Sequence, residues 1–253
     1  GGGGGCGAGG GGGGSGAGGT GGFGGGGGGS SDAGGMGGYG AGAGGTSGGG
    51  GAGMGGAIFV NGGTATIVNS TFNANTAAGG VGGASGDGQA GSGLGGAIFS
   101  YNSTLTVNSV TISGNTADAG GGILNLGDGQ TSTVALNNSI LGQADSSADG
   151  FVGDVTNSGT STSSGVGNLI RSAVGFGGTI ASSADPLLGS LADNGGPTLT
   201  MLPGASSPVL SAGDFAVNTL TTDQRGLSRT FGTTIDIGAV QAHQPTPAAI
   251  TSA

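Results

Sequence analysis

Asp145, Asp149 and Asp154 fall within ten residues of one another, and Arg171 follows them. Carboxylates that hold Ca²⁺ beside an arginine able to take a proton could cut an acidic polysaccharide. The spacing is irregular, however, and matches neither an EF-hand loop nor a nonapeptide calcium repeat. Asp is a common turn former, and turn or loop residues on a solvated edge account for all three. Glycoside hydrolysis needs two carboxylates at a set separation, and the only histidine, His243, lies in a C-terminal tail. Serine is plentiful, but without a His or Lys to activate it a Ser nucleophile is not credible. General acid–base chemistry would therefore rest on Asp alone. No catalytic, cofactor-binding or metal-binding residue is assigned, and no cofactor is expected.

The 253 residues include 73 Gly, no Lys and no Glu, and carry a net charge of −9; the only bases are Arg171, Arg225 and Arg229. Glu/Lys-paired helix surfaces are thus unavailable. Short apolar runs set among Thr, Ser, Asn, Asp and Gly suit strands and turns. The acidity and the lack of basic clusters argue against nucleic acid and against an anionic membrane surface. No apolar run approaches the roughly 20 residues that span a bilayer, so membrane insertion by this segment is not expected. Cys6 is alone, which excludes an internal disulfide framework and a multi-Cys metal site. Beginning on Gly1 inside low-complexity sequence, the chain reads as a processed product or a fragment of a larger exported protein.

The elements that would position any site are set by a repeat. Met54 to Ala77 recurs as Leu94 to Ala117 with 11 of 24 positions identical. Both copies open on Gly-Gly-Ala-Ile-Phe, alternate Thr with aliphatics, and close on Asn-Thr-Ala. One such unit cannot bury its own apolar face and must stack on a neighbour. Ile58, Ile98 and Ile123 should form one inward ladder, with Phe59 stacked on Phe99. In the second strand Ala65 and Ile67 match Leu105 and Val107, and Thr64, Thr66, Thr104 and Thr106 take the opposite face. A third, degenerate copy starts at Gly120 and carries Thr133 to Ile140 as its second strand. Asn75 and Asn115 fall at a turn, where they could hydrogen-bond up the stack as a structural device.

Residues 1–53 form a glycine-rich low-complexity arm, and 78–93 a shorter glycine-rich excursion inside the repeat region 54–184. Collagen is excluded, because no strict three-residue glycine period is kept and no Pro occurs before Pro186. So little apolar area cannot offset backbone ordering, and the arm reads as flexible or loosely ordered. The alternative is a set of polyglycine helices packed beside the solenoid. The excursion must leave and return within one strand spacing, roughly 4.8 Å, and residues 1–53 look like a longer version of it.

The Gly-Gly-Ala-Ile segments, paired with Phe72-Asn73-Ala74-Asn75 and Ile112-Ser113-Gly114-Asn115, resemble the GGA[ILV] and FxxN repeats of bacterial polymorphic outer-membrane proteins. Further on stand Asp185-Pro186-Leu187-Leu188-Gly189, Asp193-Asn194-Gly195-Gly196-Pro197, Leu202-Pro203-Gly204, Thr222-Asp223-Gln224-Arg225-Gly226 and Asp236-Ile237-Gly238-Ala239-Val240. That ordered set is similar to the end of a choice-of-anchor Q domain. The resemblance covers about residues 55–242. It implies an all-β fold: a right-handed single-stranded parallel β-helix, a pectin-lyase-like solenoid, with glycine-rich excursions and a C-terminal cap over 185–242. It also implies export to the cell surface or beyond, but no reaction. Residues 243–253 form a Pro/Thr-rich tail without a hydrophobic anchor. Within the cap, Arg225 should lock the structure through Asp236 or Asp223, near Arg229.

Together these features point to a noncatalytic extracellular or cell-surface structural or adhesive module. Cell-wall or extracellular glycans, or other surface proteins, are the expected partners. A polysaccharide-binding or polysaccharide-degrading protein is the alternative. Ice binding is a third reading, from the Thr-x-Thr pairs one tier apart.

Overall fold

Residues 1–85, 87–142, 150–154 and 159–242 are described by a computed structural model, the side chain of Asp154 excepted. Among them the fold is all-β, with a single 3₁₀ turn at Phe215–Val217. After β1 (Gly53–Met54) the first tier holds β2 (Ile58–Asn61), β3 (Thr64–Val68) and β4 (Thr71–Asn73). Following β5 (Gly93–Leu94), the second holds β6 (Ile98–Tyr101), β7 (Thr104–Asn108) and β8 (Thr111–Ser113). The third comprises β9 (Ile123–Leu126), β10 (Thr131–Asn137) and β11 (Ile140–Leu141), and the fourth β12 (Phe151–Asp154), β13 (Thr160–Ser164) and β14 (Asn168–Ile170). A last, partial tier has β15 (Ala173–Val174) and β16 (Ile180–Ser182).

Each of the first four tiers gives one strand to each of three parallel sheets, the last tier gives strands to two of them, and β1 and β5 form a separate parallel pair. The first sheet runs β2-β6-β9-β12-β15, the second β3-β7-β10-β13 and the third β4-β8-β11-β14-β16. The architecture is therefore a parallel β stack of solenoid type. Ile58, Ile98 and Ile123 are in register, as the repeat requires. The Phe59 and Phe99 rings stack at 5.2 Å. Inside, Ile98, Leu105, Val107, Ile112, Ile123, Val134, Leu136, Leu141 and Phe151 form one fully buried cluster. Each such aliphatic side chain contributes about 1.5–3 kcal/mol through burial.

The corners explain why so many small polar residues are present. Asn69, Ser109, Asn138 and Gly167 occupy one corner, between the second and third sheets, and all four have positive φ. Asn and Gly tolerate this left-handed region, Asn because its short side chain bonds locally. At another turn Asn115 Oδ1 accepts from the backbone N–H of Asn75 (2.9 Å) and from Asn75 Nδ2 (2.8 Å). Asn115 Nδ2 in turn donates to the carbonyl of Phe72. The expected ladder up the stack is present.

One strand assignment needs correction. The second strand of the third tier is Thr131–Asn137, and Ile140 belongs to the next sheet. The chain turns at Asn138, with φ 47°, a break that alternation of apolar residues alone does not reveal.

Residues 1–53 are not a loose arm but a hydrogen-bonded bundle of extended glycine rods. Gly4, Gly7, Gly10 and Gly13 donate to the carbonyls of Thr20, Phe23, Gly26 and Gly29 at 2.7–2.9 Å. The step of three on both sides is the repeat of a polyproline II helix, whose backbone groups must bond to neighbours because none bond internally. The excursion joins the same bundle, with Gly50 donating to the carbonyl of Gln89 and Gly80 to that of Gly51. Glycine is required here for space. A Cβ on Gly10, Gly22 or Gly38 would overlap the backbone carbonyl of Gly19, Gly5 or Gly22, respectively.

Candidate functional site

The three sheets differ in what covers their outer faces, and that difference defines the candidate surface. The glycine bundle docks on the first sheet through its turns. Gly5–Ala8, Gly22–Gly25 and Gly38–Ala41 are each closed by a hydrogen bond of 2.8–2.9 Å. Each has a glycine of φ 71–75° in third place, the arrangement of a type II turn. The residues at second place are Cys6, Phe23 and Tyr39. Phe23 stacks on Tyr39 (5.6 Å) and Phe99 (6.4 Å) and meets Tyr101 at 4.2 Å. Beneath them Phe99, Leu124 and Leu126 are buried.

The third sheet lies under residues 185–242. Gly238 donates its N–H to the carbonyl of Asn138, Ala239 donates to Thr111 Oγ1, Asn69 donates to the carbonyl of Thr222, and Asp214 and Asn138 exchange two bonds. Ile140 and Leu169 pack with Leu188, Met201, Val209 and Ile237. These contacts run along the flank over four tiers, whereas a cap at the end of the stack was expected.

Within that flank segment Arg225 pairs with Asp223 at 2.8 Å, and both side chains are buried. Asp223 also accepts from the N–H groups of Arg225, Leu227 and Gln241. Arg229 is fully buried and donates to the carbonyls of Asp236 and Gly238. Burial pulls its pKa down to about 10, against the attraction of Asp223 and Asp236. The Asp223–Arg225 pair is satisfied within the segment, which marks it as framework, whereas Arg229 keeps Nε and Nη1 buried without a hydrogen-bond partner.

The second sheet is left open. Its outward positions are Thr64, Thr104, Thr133 and Thr162 in one column and Thr66, Thr106, Ala135 and Ser164 in the next, with Thr131 beside Thr160. None of these is buried, and no strand of the sheet carries a charged residue. The Oγ1 atoms of Thr133 and Thr162 are 2.9 Å apart. Tiers repeat at about 4.8 Å and alternate residues along a strand at about 7 Å, so the face is a grid of hydroxyls, each able to donate and accept, interrupted at Ala135. Sequence reading found the first two tiers. It missed Thr133 and Thr162, whose signal was the Thr-x-Thr pairs at 131–133 and 160–162.

Asp145, Asp149 and His243 lie outside the described residues, and of Asp154 only the backbone, in β12, is described. Arg171 donates Nη1 to the carbonyl of Ser183 on the surface. Among the described residues, no three Cys, His, Asp or Glu side chains are grouped to hold a metal ion, and no helix is long and apolar enough to cross a membrane. A groove of about 380 Å³ beside Thr76, Thr116 and Asp118 is lined mainly by backbone and small side chains. The fold and surface thus define a parallel β-solenoid with one exposed hydroxyl face. No family model, curated protein or solved structure matches the chain.

Proposed function

We propose that this chain is a noncatalytic extracellular or cell-surface structural or adhesive module, built as a right-handed single-stranded β-helix of pectin-lyase-like type. Resemblance to choice-of-anchor Q domains supports the export and the winding. The observation that carries the adhesive role is the single uncovered sheet with its columns of Thr and Ser. A grid of uncharged hydroxyls suits a neutral, hydroxyl-rich ligand such as a cell-wall or matrix glycan, while a net charge of −9 disfavours acidic ones. The test is binding to arrayed neutral and acidic glycans, for the native chain and for Thr104→Lys. Binding of neutral glycans that is lost in the variant supports the role. No binding to any glycan or surface protein would leave only a spacer, and turnover of polygalacturonate or alginate would establish the enzymatic alternative.

The same grid favours one second reading, ordering of water at an ice surface, because four tiers rather than two carry hydroxyls. Thermal hysteresis of the purified chain would support it, and none is expected if the ligand is a glycan.

A further inference from the structure

The open face of the second sheet has a wall along one side. Residues 214–222 follow the corner between the second and third sheets from the fourth tier to the first. The Asp214 N–H donates to Asn138 Oδ1 (2.7 Å), and its carbonyl accepts from Asn138 Nδ2 (3.0 Å). Gly167, one tier on, lies so close that a Cβ there would meet the Asp214 nitrogen. Farther along, Thr219 Oγ1 accepts from Asn108 Nδ2 (3.4 Å), and the Thr222 carbonyl accepts from Asn69 Nδ2 (2.7 Å). The strip therefore passes the tiers one after another, alongside the column Thr64, Thr104, Thr133 and Thr162.

On this strip stands one aromatic ring that the fold does not use. Phe215 opens the 3₁₀ turn, whose cap Asp214 accepts from the Ala216 N–H (2.9 Å), and no residue of the turn is buried. The ring is 45% exposed and, among the described residues, belongs to no buried cluster and stacks on no other ring. A single exposed Phe is ordinary on a protein surface. This one is held in place by the two Asn138 bonds, at the corner that borders the hydroxyl face. An apolar platform beside convergent polar groups suits a sugar ring, whose C–H-bearing face is apolar and whose rim carries hydroxyls. The Asp214 carboxylate next to it disfavours an acidic sugar.

Resting on the glycan reading above, we propose that the second-sheet face and this wall form a shelf for an extended, neutral, β-linked polysaccharide that lies lengthwise along the stack, with one sugar ring seated on Phe215. An extended chain whose rings repeat at close to the tier spacing of about 4.8 Å offers hydroxyls to each tier in turn. An α-linked chain that coils leaves the columns almost at once. A chain laid along a strand would meet only Thr pairs about 7 Å apart and would run into the wall. A further tier stacked on the first would lengthen the shelf and leave it open.

The experiment is titration calorimetry with cello-oligosaccharides of increasing length, and malto-oligosaccharides of the same lengths, on the native chain, Phe215→Ala and Thr104→Lys. Affinity for the β-linked series should rise with length until the shelf is filled, at about four rings for four tiers. The α-linked series should bind at least about tenfold more weakly. Phe215→Ala should weaken the longest β-linked oligomers by about three- to tenfold, the worth of one aromatic contact, with an unchanged circular dichroism spectrum. Thr104→Lys, which tests the underlying glycan reading, should abolish binding. Binding that is lost in Thr104→Lys but untouched in Phe215→Ala, level from the shortest oligomer onwards, or equal for both linkages overturns the shelf and leaves the glycan reading standing. No binding of the β-linked series overturns the shelf as well, and the arrayed neutral glycans then decide the broader reading separately. Should Phe215→Ala misfold, amide shifts of the native chain decide: those of Phe215–Val217 must move together with those of Thr64, Thr104, Thr133 and Thr162, and changes confined to one set refute the lengthwise seat.

Discussion

The ring of Phe23 lies 4.2 Å from that of Tyr101, joining a segment almost without side chains to the wall of the stack. Backbone hydrogen bonds hold the glycine rods to one another, while Phe23, Tyr39 and Met54 provide the apolar contact with the first sheet. Phe23→Ala should therefore lower stability by about 2 kcal/mol, below the range for a fully buried aromatic because Phe23 is half-buried. Calorimetry would register the loss, and amide exchange should show faster opening across residues 1–53 with the stack unaffected. Equal protection of the rods in the variant would mean that the rings do not dock them.

Glycine at the inner positions of the rods is a matter of room. Gly10→Ala would drive a methyl group into the carbonyl of Gly19, whereas Gly14 has open space within 4 Å. The first substitution should abolish protection of the neighbouring rods. The second should be neutral or stabilise by about 0.4–1 kcal/mol, through the narrower unfolded ensemble of Ala. Paired thermal melts and exchange profiles of the two variants separate this from a general need for flexible glycine.

Asn115 is fully buried, and its oxygen takes both hydrogen bonds from Asn75. Asn115→Ala leaves the Asn75 amide and the Phe72 carbonyl without those partners, which should cost about 1–3 kcal/mol. Denaturant titration measures this directly. A shift of less than about 0.5 kcal/mol would show that other groups or water replace the ladder.

Arg225→Ala removes the ion-pair partner of buried Asp223. Breaking a buried pair from one side typically costs about 3–5 kcal/mol. The loss should appear as unfolding of the flank segment, seen as faster exchange at Gly238 and Ala239. An unchanged melting temperature would refute the locking role.

Asp87 accepts a 2.7 Å hydrogen bond from the Thr46 N–H at the outer tip of the bundle, and this bond holds its carboxyl below the usual 3.8. A depressed carboxylate stabilises the fold above its unfolded value and ceases to do so as pH falls through the folded one. The Thr46 amide resonance should therefore titrate with a midpoint below 3.8, and Asp87→Asn should remove that titration. A midpoint at or above the ordinary carboxylate value would contradict the bond.

Much of the stack was legible because tiers repeat their side chains. The ladder Ile58, Ile98, Ile123 follows from the repeated Gly-Gly-Ala-Ile, and the Asn75–Asn115 contact from equal spacing to the turn. The order of the glycine rods was hidden, since their period of three lies in backbone hydrogen bonds and leaves no apolar pattern. Its one trace is the turn signal at Cys6-Gly7, Phe23-Gly24 and Tyr39-Gly40, 17 and 16 residues apart. The flank position of residues 185–242 was hidden too, because contacts such as Ala239 with Thr111 span 128 residues with no repeat to announce them.

Gly53 pairs with Gly93, and Thr76 with Thr116, so the excursion between the first two tiers enters and exits without disturbing alignment on either side. Its length is consequently decoupled from the stack beneath it. Insertions or deletions there, in multiples that keep whole rods, would enlarge or trim the glycine slab while the aliphatic interior stayed as it is.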